Sequence, residues 1–143
     1  MSCDVLITGT GMFAGRIALD IASTAKSPVN VVIAGRNKMR LNWLKTAGNA
    51  RAAMFSTPAR FSTIEVDMVA EGASDRLLEQ CNPRIVVQAA SIQTSTVHSD
   101  KGNRWTQLVA EGGLSATAVF QSLISSRMAA AISRRTNRPL LIN

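Results

Sequence analysis

Hydrophobic residues in this chain fall into two alternating patterns. Short, nearly continuous apolar runs occur at residues 4–8 (Asp-Val-Leu-Ile-Thr), 30–34 (Asn-Val-Val-Ile-Ala), 61–66, 84–89 and 140–142. They are too short for buried helices, rich in Val and Ile, and bounded by Gly, Pro or Asn, as at Pro28, Gly35 and Asn82-Pro83. Apolarity on both faces is what a parallel strand covered by helices on both sides requires. Between these runs, apolar residues recur every three or four positions. Residues 12–24 carry Ala14, Ile17, Ala18 and Ile21 on one helical face. Residues 38–47 turn Leu41, Leu44 and Trp43 inward and meet a stop signal at Gly48. Residues 74–80 bury Leu77 and Leu78, and residues 106–133 form a long helix that Gly112-Gly113 breaks or kinks. Residues 49–60, punctuated by Pro58, and the polar segment 91–104 are left as loops. Strict alternation of strand and helix predicts an α/β fold: a Rossmann-like, doubly wound parallel sheet of about five strands in the order 3-2-1-4-5, with helices on both faces.

The first strand-to-helix turn carries the most informative chemistry. Val5-Leu-Ile-Thr-Gly-Thr-Gly-Met-Phe-Ala-Gly15 is a strand, a glycine turn and the start of a helix. A pyrophosphate needs backbone N–H groups converging at a helix N-terminus with no side chain in the way. Gly9 can make the tight turn and Gly11 can admit the phosphates, while Ala14 or Gly15 lets the helix lie close on the strand. The candidate cradle is therefore Gly9, Thr10, Gly11, Met12 and Phe13. Alone, a G-x-G-x-x-A match is a weak signal, because glycine turns occur without ligands; its strand–turn–helix setting, with a second strand about twenty residues on, is what the motif requires.

The end of the second strand decides which dinucleotide suits such a turn. An acidic residue there would take a ribose 2′-hydroxyl, but the sequence is Ala34-Gly35-Arg36-Asn37-Lys38. Arg36 can form a charged fork with a 2′-phosphate, and Lys38 or Arg40 can add to the field. A charged hydrogen bond is worth about 1.5 to 3 kcal/mol, which is roughly tenfold to a hundredfold in affinity. The expected cofactor is NADP, with NAD the weaker ligand. As a plain solvated cation, Arg36 would open a helix against its dipole. Asp67, just past the third strand, is placed to meet an adenine amino group, although a helix-opening acid would look the same. Ala89, Ala90 and Ser91 put small side chains where a nicotinamide ribose would pass, and small residues equally suit plain packing.

Charge sharpens this picture. The chain of 143 residues has 16 basic and 9 acidic side chains, a formal net charge of +7. No acid occurs between Asp20 and Glu65, where Lys26, Arg36, Lys38, Arg40, Lys45, Arg51 and Arg60 fall, and a second acid-free stretch ends in Arg134, Arg135 and Arg138. Such fields attract phosphate. Nucleic acid is the less favoured partner, because only six aromatic residues are present and most stand in apolar settings. Length suits one domain. No apolar run could span a bilayer, and no basic region precedes the first strand as in a signal peptide. With only Cys3 and Cys81, both in apolar settings, a cytoplasmic protein with two buried packing thiols is expected.

Absences narrow the chemistry. There is no tyrosine, so the Tyr-x-x-x-Lys acid of short-chain dehydrogenases is missing. No G-K-[ST] follows the turn, no G-x-S-x-G elbow occurs, and no Cys-His pair stands at useful spacing. His98, near Asp100 in the polar loop, has no companions at metal-ligand spacing and reads as a surface histidine. Catalytic residues and substrate stay unassigned, with no metal expected.

Ile7-Thr-Gly-Thr-Gly-Met-Phe-Ala-Gly-Arg16 followed by Ile33-Ala-Gly-Arg-Asn37 resembles the N-terminal NAD(P)-binding region of saccharopine dehydrogenase-like proteins, with their I-T-G-x-x-G-F-x-G-R turn and A-G-R strand end. The likeness covers roughly the first 45 residues. It departs where the family's middle glycine falls on Met12, this chain having glycine at position 11. The resemblance implies an oxidoreductase whose substrate domain follows the fifth strand, so that this chain would be the N-terminal part of a longer protein. A non-catalytic nucleotide-binding or regulatory module is the alternative. The wide apolar side of the last helix, Val119, Phe120, Leu123, Ile124, Met128 and Ile132, and a terminal strand with nothing after it predict self-association, most plausibly a twofold dimer through residues 114–132.

Overall fold

The computed structural model describes residues 3–92, 104–112 and 115–143. Its elements are β1 (Val5–Thr8), α1 (Met12–Thr24), β2 (Val29–Gly35), α2 (Lys38–Met54), β3 (Ala59–Glu65), α3 (Ala73–Cys81), β4 (Ile85–Gln88), α4 (Arg104–Gly112), α5 (Ser115–Ser133) and β5 (Leu140–Ile142). The strands form one parallel sheet in the order β3-β2-β1-β4-β5, as the alternation of patterns predicts. Chain direction of travel across the sheet reverses between β1 and β4, which places a topological switch point beside the Gly9 turn.

Two apolar layers follow from the period of two along each strand. Ile7, Val31, Ile33 and Val87 face Ala14, Ala18 and Ala22 of α1 and Leu41, Leu44 and Ala52 of α2. Leu6, Val32, Ala34 and Val86 face the other layer, with Leu77 and Leu78 of α3 and Ile124, Met128, Ala131 and Ile132 of α5. Alanines along α1 let that helix sit close on β1. Cys3 and Cys81 are both buried in the second layer, as free thiols. A hydrogen bond to Cys81, reinforced by burial, holds the Cys3 thiol well above its ordinary range.

Three expectations are corrected. Gly48 does not stop α2, which runs on to Met54. Gly48 is instead where α2 crosses β3: a Cβ there would lie 2.8 Å from Cγ of the buried Phe61 ring. The loop expected over 49–60 therefore shrinks, and β3 starts at Ala59. Asn49 explains the extension further, since its Nδ2 donates to Phe61 O at 2.9 Å and its Oδ1 accepts from Phe61 N at 3.0 Å, pairing backbone groups on the edge strand. Third, Trp43 points out and is 61% exposed, because Leu41 and Leu44 already fill the inward face. At the C-terminal end, α4 and α5 flank residues 113–114, which lie outside the described residues and include Gly113 of the expected break.

Candidate functional site

Gly9 ends β1 and adopts φ +103°, a left-handed conformation that favours glycine. Its N–H donates to Ala34 O at 2.7 Å, so the turn is anchored to β2. A Cβ at Gly9 would come within 2.7 Å of Ala89 O and 2.9 Å of Ala90 N. The first glycine is thus needed by the fold itself, for close approach to the segment leaving β4. Gly11 is different. It is the N-cap of α1 in extended conformation, and a Cβ there would meet nothing within 4 Å. No side chain caps α1. The first N–H groups of this 13-residue helix have no partner within the helix, and among the described residues no side chain stands against Gly11, an arrangement of the kind that receives anions. Met12 and Phe13, in the first turn, are 63% and 69% exposed. Ala14 is the residue that lies on the sheet, whereas Gly15 abuts α2, where a Cβ would sit 3.4 Å from Leu44 Cδ2.

Thr10 joins this turn to the end of β2. A Cβ on the buried Gly35 would lie 2.9 Å from Thr10 Cγ2, so the Thr10 side chain packs against the bare backbone of Gly35. Beyond Gly35 the exposed Arg36 meets Asp67, with Nε 3.8 Å from Oδ1. Both side chains are about half exposed, and a pair of this kind contributes on the order of 0–1 kcal/mol. Oδ1 of Asp67 also accepts from Val69 N at 3.0 Å, shaping the turn after β3. Asn37 caps α2, its Oδ1 accepting from Arg40 N at 3.0 Å. The segment 35–37 thus combines a close-packed glycine, a cation and a helix cap along the same sheet edge as the glycine turn. Ala89 and Ala90 are half-buried on the opposite side of the crevice, and Ala89 N donates to Thr8 O at 2.9 Å. Ser91 is exposed at the end of that segment.

One residue of this region has no motif to announce it. Gln88, the last residue of β4, is 6% exposed. Its Oε1 accepts a hydrogen bond from the Thr8 hydroxyl, and its Nε2 donates to Ala90 O at 2.8 Å. The buried amide links the ends of β1 and β4 beneath both walls of the crevice. Only the polar break at the end of an apolar run hinted at it.

His98 and Asp100 lie outside the described residues. Among the described residues, no group of three His, Cys, Asp or Glu is placed to hold a metal ion, and no helix is long and apolar enough to cross a membrane. The C-terminal cations are engaged in the fold: Arg134 clasps Asp75 with Nη2 at 2.8 and 2.9 Å from its two oxygens, and Arg135 donates to Asn82 Oδ1 at 3.2 Å.

Sheet order, the turn at its switch point and helices on both faces define a Rossmann-like α/β fold. Solved structures agree. Malate dehydrogenase from Cryptosporidium parvum is similar at a TM-score of 0.61 and 15% identity, over 99% of this chain and 37% of that one. An N-terminal ketoreductase from a macrolactin assembly line is similar at a TM-score of 0.61 and 15% identity, over 98% and 27%. A short chain dehydrogenase/reductase family protein follows at 0.51 and 22%, over 90% and 47%. At such identities the likeness is one of fold, and this chain spans less than half the length of each. No protein-family model and no curated protein matches the sequence.

Proposed function

We propose that this chain is the NADP-preferring dinucleotide-binding domain of a saccharopine dehydrogenase-like oxidoreductase, with the substrate domain supplied by sequence beyond these 143 residues. The observation that carries this is the uncapped N-terminus of α1, opened by Gly11 at the reversal point of the sheet. There the N–H groups at the start of α1, following the Gly9–Thr10 turn, would hold the pyrophosphate. Arg36 would take the 2′-phosphate. Asp67 would face the adenine amino group while holding Arg36, and Ala89, Ala90 and Ser91 would flank the nicotinamide ribose. The dinucleotide supplies hydride chemistry, and the domain supplies its orientation. The saccharopine dehydrogenase-like assignment is supported by the two motifs in the first 45 residues, and the cytoplasmic location by the scarcity of cysteine.

Calorimetric titration with NADPH and NADH tests the proposal. Saturable one-to-one binding, tighter for NADPH, is expected, with little turnover by this chain alone. Absence of binding to either would overturn it. Binding without turnover in the full-length protein would instead favour the regulatory module.

A further inference from the structure

A cleft of about 450 Å³ opens between α1 and α2, running from the Gly11 turn to the contact at Gly15. Its volume lies in the range that small-molecule sites occupy. Leu19, Met39, Trp43 and Leu44 give it an apolar wall. Met39 is 78% and Trp43 61% exposed, so two large apolar side chains stand in water beside a concavity. Arg16 and Arg40 also line it. Among the described residues the ion pairs are Arg36 with Asp67 and Arg134 with Asp75, so neither cleft arginine is neutralised by a carboxylate. The acid-free stretch from 21 to 64 leaves only Asp20, on α1, as a nearby carboxylate in sequence, and it makes no ion pair with Arg16.

An apolar wall beside two unpaired guanidinium groups fits one kind of occupant, an anion with an apolar body. We infer that the α1–α2 cleft binds an amphipathic organic carboxylate, its chain against Met39 and Trp43 and its head group between Arg16 and Arg40. The cleft shares Thr10, Gly11 and Met12 with the glycine turn but includes none of Gly35, Arg36, Asp67, Ala89 or Ala90. Its apolar wall lies outside the proposed dinucleotide path, whereas its mouth at Thr10, Gly11, Met12 and Arg40 is common to both, so occupancy is tested without the dinucleotide.

Trp43 supplies the readout, with Trp105→Phe removing the other tryptophan. Decanoate, below its micellar concentration, should shift Trp43 emission saturably, and decyltrimethylammonium should not. Arg16→Gln with Arg40→Gln should weaken decanoate about tenfold, as two partly exposed charged contacts predict. The corresponding pair of lysines should retain most of the affinity, which separates lost charge from lost packing. Circular dichroism checks that each variant is folded. No saturable shift, an equal response to the cation, or unchanged affinity in the double glutamine variant would each overturn the inference.

Discussion

At the scale of single residues, the two glycines of the turn differ in what surrounds them. Gly9 has a left-handed φ and backbone of the Ala89–Ala90 segment within 2.9 Å of its absent Cβ. Gly9→Ala should therefore lower thermal stability measurably, by about 1–3 kcal/mol as strain at a special conformation does. Gly11 has open space around it. Gly11→Val should leave the circular dichroism melt nearly unchanged while abolishing NADPH binding by calorimetry; equal affinity in the two proteins would remove the turn from the site. Arg36→Asp should reduce NADP affinity by roughly ten- to a hundredfold, the worth of a charged hydrogen bond, and change NAD affinity little. Added salt should weaken NADP more than NAD, because only NADP has the extra charge pair. Gln88→Leu leaves the Ala90 carbonyl without its donor and the Thr8 hydroxyl without the amide. A buried polar group left this way costs about 1–3 kcal/mol, so its denaturation midpoint should fall even in the absence of any ligand.

At the scale of elements, α2 is the instructive case. Glycine in a helix interior is about 1 kcal/mol worse than alanine, and local propensity alone would end the helix at Gly48. Contact with the sheet reverses that outcome, because the missing Cβ admits the Phe61 ring and Asn49, one residue on, pairs with the backbone of β3. Gly48→Ala sets the propensity gain against a contact 2.8 Å from a ring that is itself buried. Overpacking costs about 1–3 kcal/mol and should win, lowering Tm by several degrees; a raised Tm would show that the ring can move aside. The same logic accounts for Trp43. Helical spacing put it near Leu41 and Leu44, but two leucines close the α2–sheet contact and the larger ring is left at the surface.

At the scale of the whole molecule, apolar surface is distributed differently from the pattern of the last helix. Ile124, Met128, Ala131 and Ile132 are buried in the layer with α3, so most of the apolar side of α5 that the structure describes is core. Met128→Glu should accordingly unfold the domain. Leu114 and Phe120, also part of the surface expected to pair, lie outside the residues whose side chains are described. At the C-terminal end of the sheet, β5 also exposes apolar side chains, Leu140 at 62% and Ile142 at 47%. Among the described residues β5 is an edge strand, paired only with β4, and edges of this kind invite pairing. We expect a self-associating chain, and Leu140→Lys with Ile142→Lys should shift it towards monomer in light scattering. A wild-type chain that is monomeric at high micromolar concentration would contradict the expectation.

The alternation of short apolar runs and amphipathic segments by itself determined the fold class, because apolar strands covered by helices pair in parallel through helical crossovers; the tertiary structure fixes which strands are neighbours. The sequence also determined the glycine turn and the Gly35-Arg36 strand end, since both are contiguous in sequence and their chemistry is carried by residue type. Tertiary contact decided everything that joins distant positions. Phe61 made Gly48 a helix interior, Asp67 met Arg36 across adjacent strand ends, and Gln88 found Thr8 eighty residues away. The two glycines of the turn look alike in the sequence. Only the proximity of Ala89 to one and the empty space around the other tells which serves the fold and which is open to a ligand.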